Sequence, residues 1–159
     1  HTTAMTLILE NLGKLFERLG DIKSATKCLT VANGLNPRSY ENTFSLARLL
    51  MKSSQFSDAI HYFKQAISIN PKRAEAYNGF AFAQEKDGHL GEAIKNYEHA
   101  LTIDQNDVAT ISNLGNALHS IGRVGEAVTH LRKCLELDPN NLLTWDRYLY
   151  NSQRVSSFL

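Results

Sequence analysis

Proline occurs three times in this chain, at 37, 71 and 139. The first two stand 34 residues apart and the last two stand twice that distance apart. A fixed period of this size marks a supersecondary unit repeated along the chain, and it constrains the fold more than any local pattern does. Written in rows of 34, the sequence fills 6–39, 40–73, 74–107 and 108–141 without a gap. Residues 1–5 precede the first row as a flank, and 142–159 open a fifth.

The columns of the array agree. Place seven holds Leu12, Leu46, Phe80 and Leu114, and place eight holds Gly13, Ala47, Ala81 and Gly115. Place twenty is alanine throughout (Ala25, Ala59, Ala93, Ala127), and place twenty-four is large: Leu29, Phe63, Tyr97 and Leu131. Place twenty-seven holds Ala32, Ala66, Ala100 and Cys134. In the second row Thr43, Leu46, Ala47 and Leu50 follow the i, i+3, i+4, i+7 spacing of one helical stripe. Place fifteen, held by Gly20, Gly88 and Gly122, suits a residue just past a helix end. A second stripe then runs through Ala59, Ile60, Phe63, Ala66 and Ile67 until Asn-Pro stops it. Each row therefore predicts two helices. The small columns let backbones approach, and the large ones fill what is left. One pair cannot bury its stripe alone, so pairs must stack.

This register resembles the tetratricopeptide repeat, whose pattern places Leu-Gly, Ala, Phe and Pro at these intervals. The resemblance covers residues 6–141 and extends into 142–159 through Trp145. It implies an all-α, right-handed α-solenoid of tandem helix-turn-helix repeats. It also implies a concave groove lined by places two, five, six, nine and twelve of each row. The groove candidates are Asn11, Lys14, Phe44, Arg48, Asn78, Phe82, Asn113 and Asn116. Carboxamides offer both a donor and an acceptor to a peptide backbone. Lys14 and Arg48 can take a carboxylate. Phe44, Met51 and Phe82 are apolar where no internal packing asks for it. An extended peptide or a partner helix fits such a lining.

Two sub-patterns of the family can be tried on these positions. Repeats that grip the carboxylate tails of chaperones need lysine, arginine and asparagine where this chain has Glu10, Lys14, Ser45, Glu75 and Gly79, or Phe44, Arg48, Gly79, Ala109 and Asn113. Neither series fits. The asparagine ladder at place six in the O-linked N-acetylglucosamine transferase repeats is matched by Asn11 and Asn113, but not by Ser45 or Gly79. The functions implied are a protein-interaction scaffold within a larger assembly, a segment for oligomerisation, or the regulatory region of a larger enzyme such as a glycosyltransferase.

The last eighteen residues read as one helix that caps the fourth row or begins a fifth. Trp145, Tyr148 and Leu149, with Val155, Phe158 and Leu159, give it apolar surface for capping or for contact with a second copy. At the other end Leu7 and Ile8 begin a helix without a polar cap, so the chain reads as part of a longer array.

Rows one and two carry ten basic residues against five acidic ones, whereas row three carries seven acidic against two basic. The whole balances at a formal charge of +1, which gives no reason to expect nucleic acid or an anionic membrane as partner. No apolar run reaches the ~18 residues of a bilayer span. The six histidines lack HxxxH or HExxH spacing, and no phosphate loop or nucleophile elbow occurs, so neither a metal, a cofactor nor catalysis is expected. Cys28 and Cys134 form no CxxC, which suits the reducing cytoplasm or nucleus.

Overall fold

The structure is a computed structural model that describes residues 2–157. Nine helices account for the described residues, with no strand among them: α1 Thr2–Arg18, α2 Ile22–Leu35, α3 Tyr40–Lys52, α4 Phe56–Ile69, α5 Ala74–Lys86, α6 Leu90–Ile103, α7 Val108–Ser120, α8 Val124–Leu137 and α9 Leu142–Ser156. From α3 onward the first helix of each pair begins on the first residue of its row, at 40, 74, 108 and 142. The second helices begin at 22, 56, 90 and 124, the same period again. Each helix packs on the next in chain order, and α3, α5 and α7 touch lightly along one side. The result is a right-handed α-solenoid. Only α1 departs from the register. It starts at Thr2, so described residues of the flank extend it, with the Thr6 hydroxyl donating to the Thr2 carbonyl at 2.9 Å.

Local chemistry sets the helix ends. The side chains of Asp21, Ser39, Asp107 and Asn141 each accept from a backbone N–H in the first turn of α2, α3, α7 and α9. Between the helices of a pair, Gly20, Gly88 and Gly122 take φ of 80°, 89° and 82°. The second row has Ser54 at the same place, with φ 58°. A side chain there costs backbone strain that glycine avoids. Ser54→Gly is therefore expected to raise stability by about 1 kcal/mol, read as a shift of the urea midpoint with an unchanged slope.

The small columns are the floor on which the large ones rest. Ala25, Ala59, Ala93 and Ala127 are fully buried, as are Phe63, Tyr97 and Leu131 within 1%. Places eight and twenty-four also vary together. A leucine at twenty-four meets glycine at eight, where a Cβ on Gly13 would stand 3.0 Å from Leu29 and one on Gly115 3.0 Å from Leu131. The flat rings of Phe63 and Tyr97 leave room for Ala47 and Ala81. Leu12 breaks the expectation for its column. Leu46, Phe80 and Leu114 lie under the second helix of the preceding row, but Leu12 is 38% exposed because no described helix packs on that side of α1.

Candidate functional site

The concave sides of α5, α7 and α9 enclose a trough of about 920 Å³. Its floor is one face of α7, carrying Ser112, Asn113, Asn116 and His119 at spacings of one, three and three. Phe82, Glu85 and Lys86 of α5 form one wall, and Leu143, Asp146, Arg147 and Tyr150 of α9 form the other.

The polar groups of the trough are set by bonds within the chain. Asn113 Nδ2 donates to Asn78 Oδ1 at 3.2 Å. That bond spends the Asn78 oxygen and leaves the Asn78 amide N–H groups and the Asn113 amide oxygen without a partner among the described residues. His119 Nδ1 lies 2.5 Å from Asn151 Oδ1, while Asn151 Nδ2 donates to the Arg147 carbonyl at 2.7 Å. Since that oxygen can only accept, Nδ1 carries the proton and Nε2 is the free acceptor. Tyr150 stands edge-on to the His119 ring, 5.7 Å between centroids. On the opposite wall Glu85 accepts from the Tyr97 hydroxyl at 2.9 Å. Burial first, and the neighbouring Glu85 charge second, push that phenol well above its usual range, so it remains a donor. Lys86 Nζ lies 4.9 Å over the Phe82 ring, which is 37% exposed.

Of the eight groove candidates, Phe82, Asn113 and Asn116 line this trough, and Asn78 supports it. Asn11 and Lys14 are exposed at the far end on α1, and Lys14 forms no ion pair among the described residues. Two expectations are corrected. Phe44 and Met51 are packed against the first core, with Phe44 stacked on Tyr40 at 5.6 Å and edge-on to Phe63 at 5.9 Å. They are apolar because this core covers them. Arg48 already has a carboxylate: its guanidinium lies 3.3 Å from Glu17, which also accepts from Lys52 at 2.6 Å. The concave side of the first rows is paired internally in the same manner elsewhere, with Asn42 donating to Glu10 at 2.7 Å and Arg73 set between Glu41 and Glu75.

The α9 wall was missed as a groove element. Continuing the column scheme into the fifth row would have found it, since places two, five, six and nine there are Leu143, Asp146, Arg147 and Tyr150. The residues expected to cap or self-associate are partly occupied. Trp145 Nε1 donates to the Pro139 carbonyl at 2.8 Å, and its ring meets Tyr148 edge-on at 6.0 Å. Leu149 is exposed at place eight, where the other rows have glycine or alanine. A helix nested there as α8 nests on Gly115 would collide with it. Phe158 and Leu159 lie outside the described residues. Among the described residues no cluster of three His, Cys, Asp or Glu could hold a metal ion, and no helix is long and apolar enough to cross a membrane.

Four repeat profiles match the sequence: tetratricopeptide repeats at 41–73, 62–95 and 108–141, and a TPR repeat at 86–122. Together they run unbroken from 41 to 141. No curated protein matches the chain. Among solved structures, the MamA protein is similar at 19% identity and a TM-score of 0.87, covering 94% of this chain and 81% of that one. YrrB, described as a TPR protein with an unusual peptide-binding site, is similar at 14% identity and a TM-score of 0.78, covering 93% and 76%. The APC/C hetero-tetramer Cut9-Hcn1 is similar at 22% identity and a TM-score of 0.83, covering 92% of this chain and 30% of that one. Likenesses at these identities speak to the fold alone.

Proposed function

Because the chain belongs to the tetratricopeptide-repeat family, we propose that it is an interaction scaffold whose α5–α7–α9 trough receives an extended peptide or a helix of a partner protein. One observation carries the reading. On the concave side of rows one and two Glu10, Glu17, Glu41 and Arg48 are engaged within the chain and Asn11 and Lys14 stand open at the far end, whereas the trough gathers in one place an exposed aromatic ring, unspent carboxamide capacity and Arg147 and Asp146 without a salt bridge among the described residues. The pair Asn78–Asn113 bonds the guest backbone, Phe82 and Tyr150 hold an apolar side chain between the walls, and Arg147 and Asp146 set its polarity. The peptide-binding description of YrrB is consistent with a groove of this class on this fold. The scaffold needs no cofactor and performs no catalysis, and a guest protein is its partner.

Panning a displayed library of random peptides on the chain, followed by fluorescence anisotropy with a synthetic version of the strongest binder, tests this. Asn113→Ala is expected to weaken that binder about tenfold, by loss of one backbone bond. Phe82→Ala is expected to weaken it about thirtyfold, as a central anchor. Circular dichroism melts should stay within ~0.5 kcal/mol, since both side chains face the groove. Binders indifferent to both substitutions would place recognition elsewhere.

A further inference from the structure

We infer, on the reading of the trough as the guest site, that its guest is an acidic segment in which an aromatic side chain and a carboxylate stand two residues apart. Two layers of side chains point to it. Place nine holds Phe82 in α5, Asn116 in α7 and Tyr150 in α9. Place thirteen, one turn further along the same helices, holds Lys86, Ser120 and Arg154. Each wall therefore bears a ring and then a cation, while the floor between them is uncharged. Phe82 and Tyr150 are 37% and 56% exposed. Lys86 Nζ lies 4.9 Å from the centroid of the first ring, and Arg154 Cζ 5.9 Å from that of the second.

A cation near a helix C-terminus suits the helix dipole wherever it stands, and Arg18 and Lys52 occupy place thirteen in the first two rows. What differs in the trough is the partner. Arg48 and Lys52, at places nine and thirteen of the second row, both bond Glu17, which stands at place twelve of the row before. The residue at place twelve in the row before Lys86 is Met51, and in the row before Arg154 it is His119. Met51 is apolar, and the Nδ1 proton of His119 is directed to Asn151. Lys86 reaches Glu85 at 3.9 Å, but that carboxylate already accepts from Tyr97. Arg154 has no ion pair among the described residues. Around the trough Lys86, Arg147 and Arg154 thus stand against Glu85 and Asp146. A guest carboxylate supplies there what Glu17 supplies between α1 and α3.

The layer spacing sets the sequence of the guest. Four residues of helix separate the two layers by about 6 Å. Alternate residues of an extended chain face the same side about 6.6 Å apart. An aromatic side chain held between Phe82 and Tyr150 therefore brings the side chain two residues away into the cation layer. A basic side chain between the rings is disfavoured. Lys86 and Arg154 already hold the cation positions beside both rings, so like charges would meet.

The peptides selected by panning test this, resynthesised with an amidated C-terminus so that any carboxylate is a side chain. The selected sequences are expected to share an aromatic residue with Asp or Glu two places away. By fluorescence anisotropy, Lys86→Glu combined with Arg154→Glu should weaken such a peptide about thirtyfold. The same peptide with its acidic residue changed to lysine should prefer that double variant to the wild type. A helix-dipole role alone does not reverse a preference. Lys27→Glu, the same charge change on the remote α2, should leave both affinities within about twofold. If the double variant fails to fold, Lys86→Gln with Arg154→Gln takes its place, with an expected loss of about tenfold. Three results overturn the inference while the trough reading stands, each with binders that lose affinity in Asn113→Ala and Phe82→Ala. They are an absence of acidic residues at that spacing, an enrichment of basic ones, and indifference to the double variants. Binders indifferent to Asn113→Ala and Phe82→Ala overturn both.

Discussion

Phe63→Ala is expected to lower stability by about 3–5 kcal/mol. Phe63 is 1% exposed and belongs to a core that joins α3, α4 and α5. Its ring meets Phe44 edge-on and lies over the backbone of Gly79, so truncation removes contacts with both the row it belongs to and the next one. A solenoid relaxes poorly around such a loss, because each pair is held only by its neighbours and no third layer can collapse into the space. The damage should be confined to the junction of rows two and three. Urea melts followed by circular dichroism are expected to show a lower midpoint, with broadening as the two halves uncouple. A change below ~1 kcal/mol would mean that this column is not the structural centre of each pair.

Gly79→Ala is the second large effect, and it runs against helix propensity. Alanine in place of a mid-helix glycine normally adds about 1 kcal/mol. Here the new Cβ would stand 2.5 Å from Phe63 Cε1 and 2.6 Å from Cζ, too close for any real pair of carbons. The ring is buried and cannot swing away, so overpacking of about 3 kcal/mol outweighs the propensity gain and leaves a net loss of about 2 kcal/mol. The cause can be isolated. Phe63→Leu should cost stability alone, yet in that background Gly79→Ala should become neutral or stabilising, giving a coupling between the two sites. Equal cost of Gly79→Ala with either residue at 63 would show that the ring is not the obstacle. Tyr97 occupies the same column one row later, anchored through its hydroxyl to Glu85, and there Asn113 stands where Gly79 does.

Gly79 also shows why the site was harder to read than the fold. By column it is a groove position and a missing rung of an asparagine ladder. In the structure it is a clearance for the ring of the preceding row. Its sequence signal was the cost of an unexplained glycine inside a helix. Phe44 and Arg48 misled for a related reason. Column position places a residue on the concave side, but it does not say whether rings of its own row cover it, as Tyr40 and Phe63 cover Phe44, or whether the neighbouring row pairs with it, as Glu17 does with Arg48. Asn113 and Asn116 line the trough because α7 turns their whole face to it.

What the sequence alone determined was the helix pair, its 34-residue period and the columns where backbones meet. These rest on properties that act within a few residues: stripe spacing, glycine at positive φ, proline after a helix end. Large and small residues at fixed places then leave one way for identical units to stack. The tertiary structure decided the rest, namely which concave groups spend their hydrogen bonds on one another and that α9 forms a wall of the trough. Asn42 and Glu10, Arg48 and Glu17, and Asn113 and Asn78 are 31 to 35 residues apart. Whether such groups meet depends on the stagger between successive rows, a property of the packed stack that no single row contains.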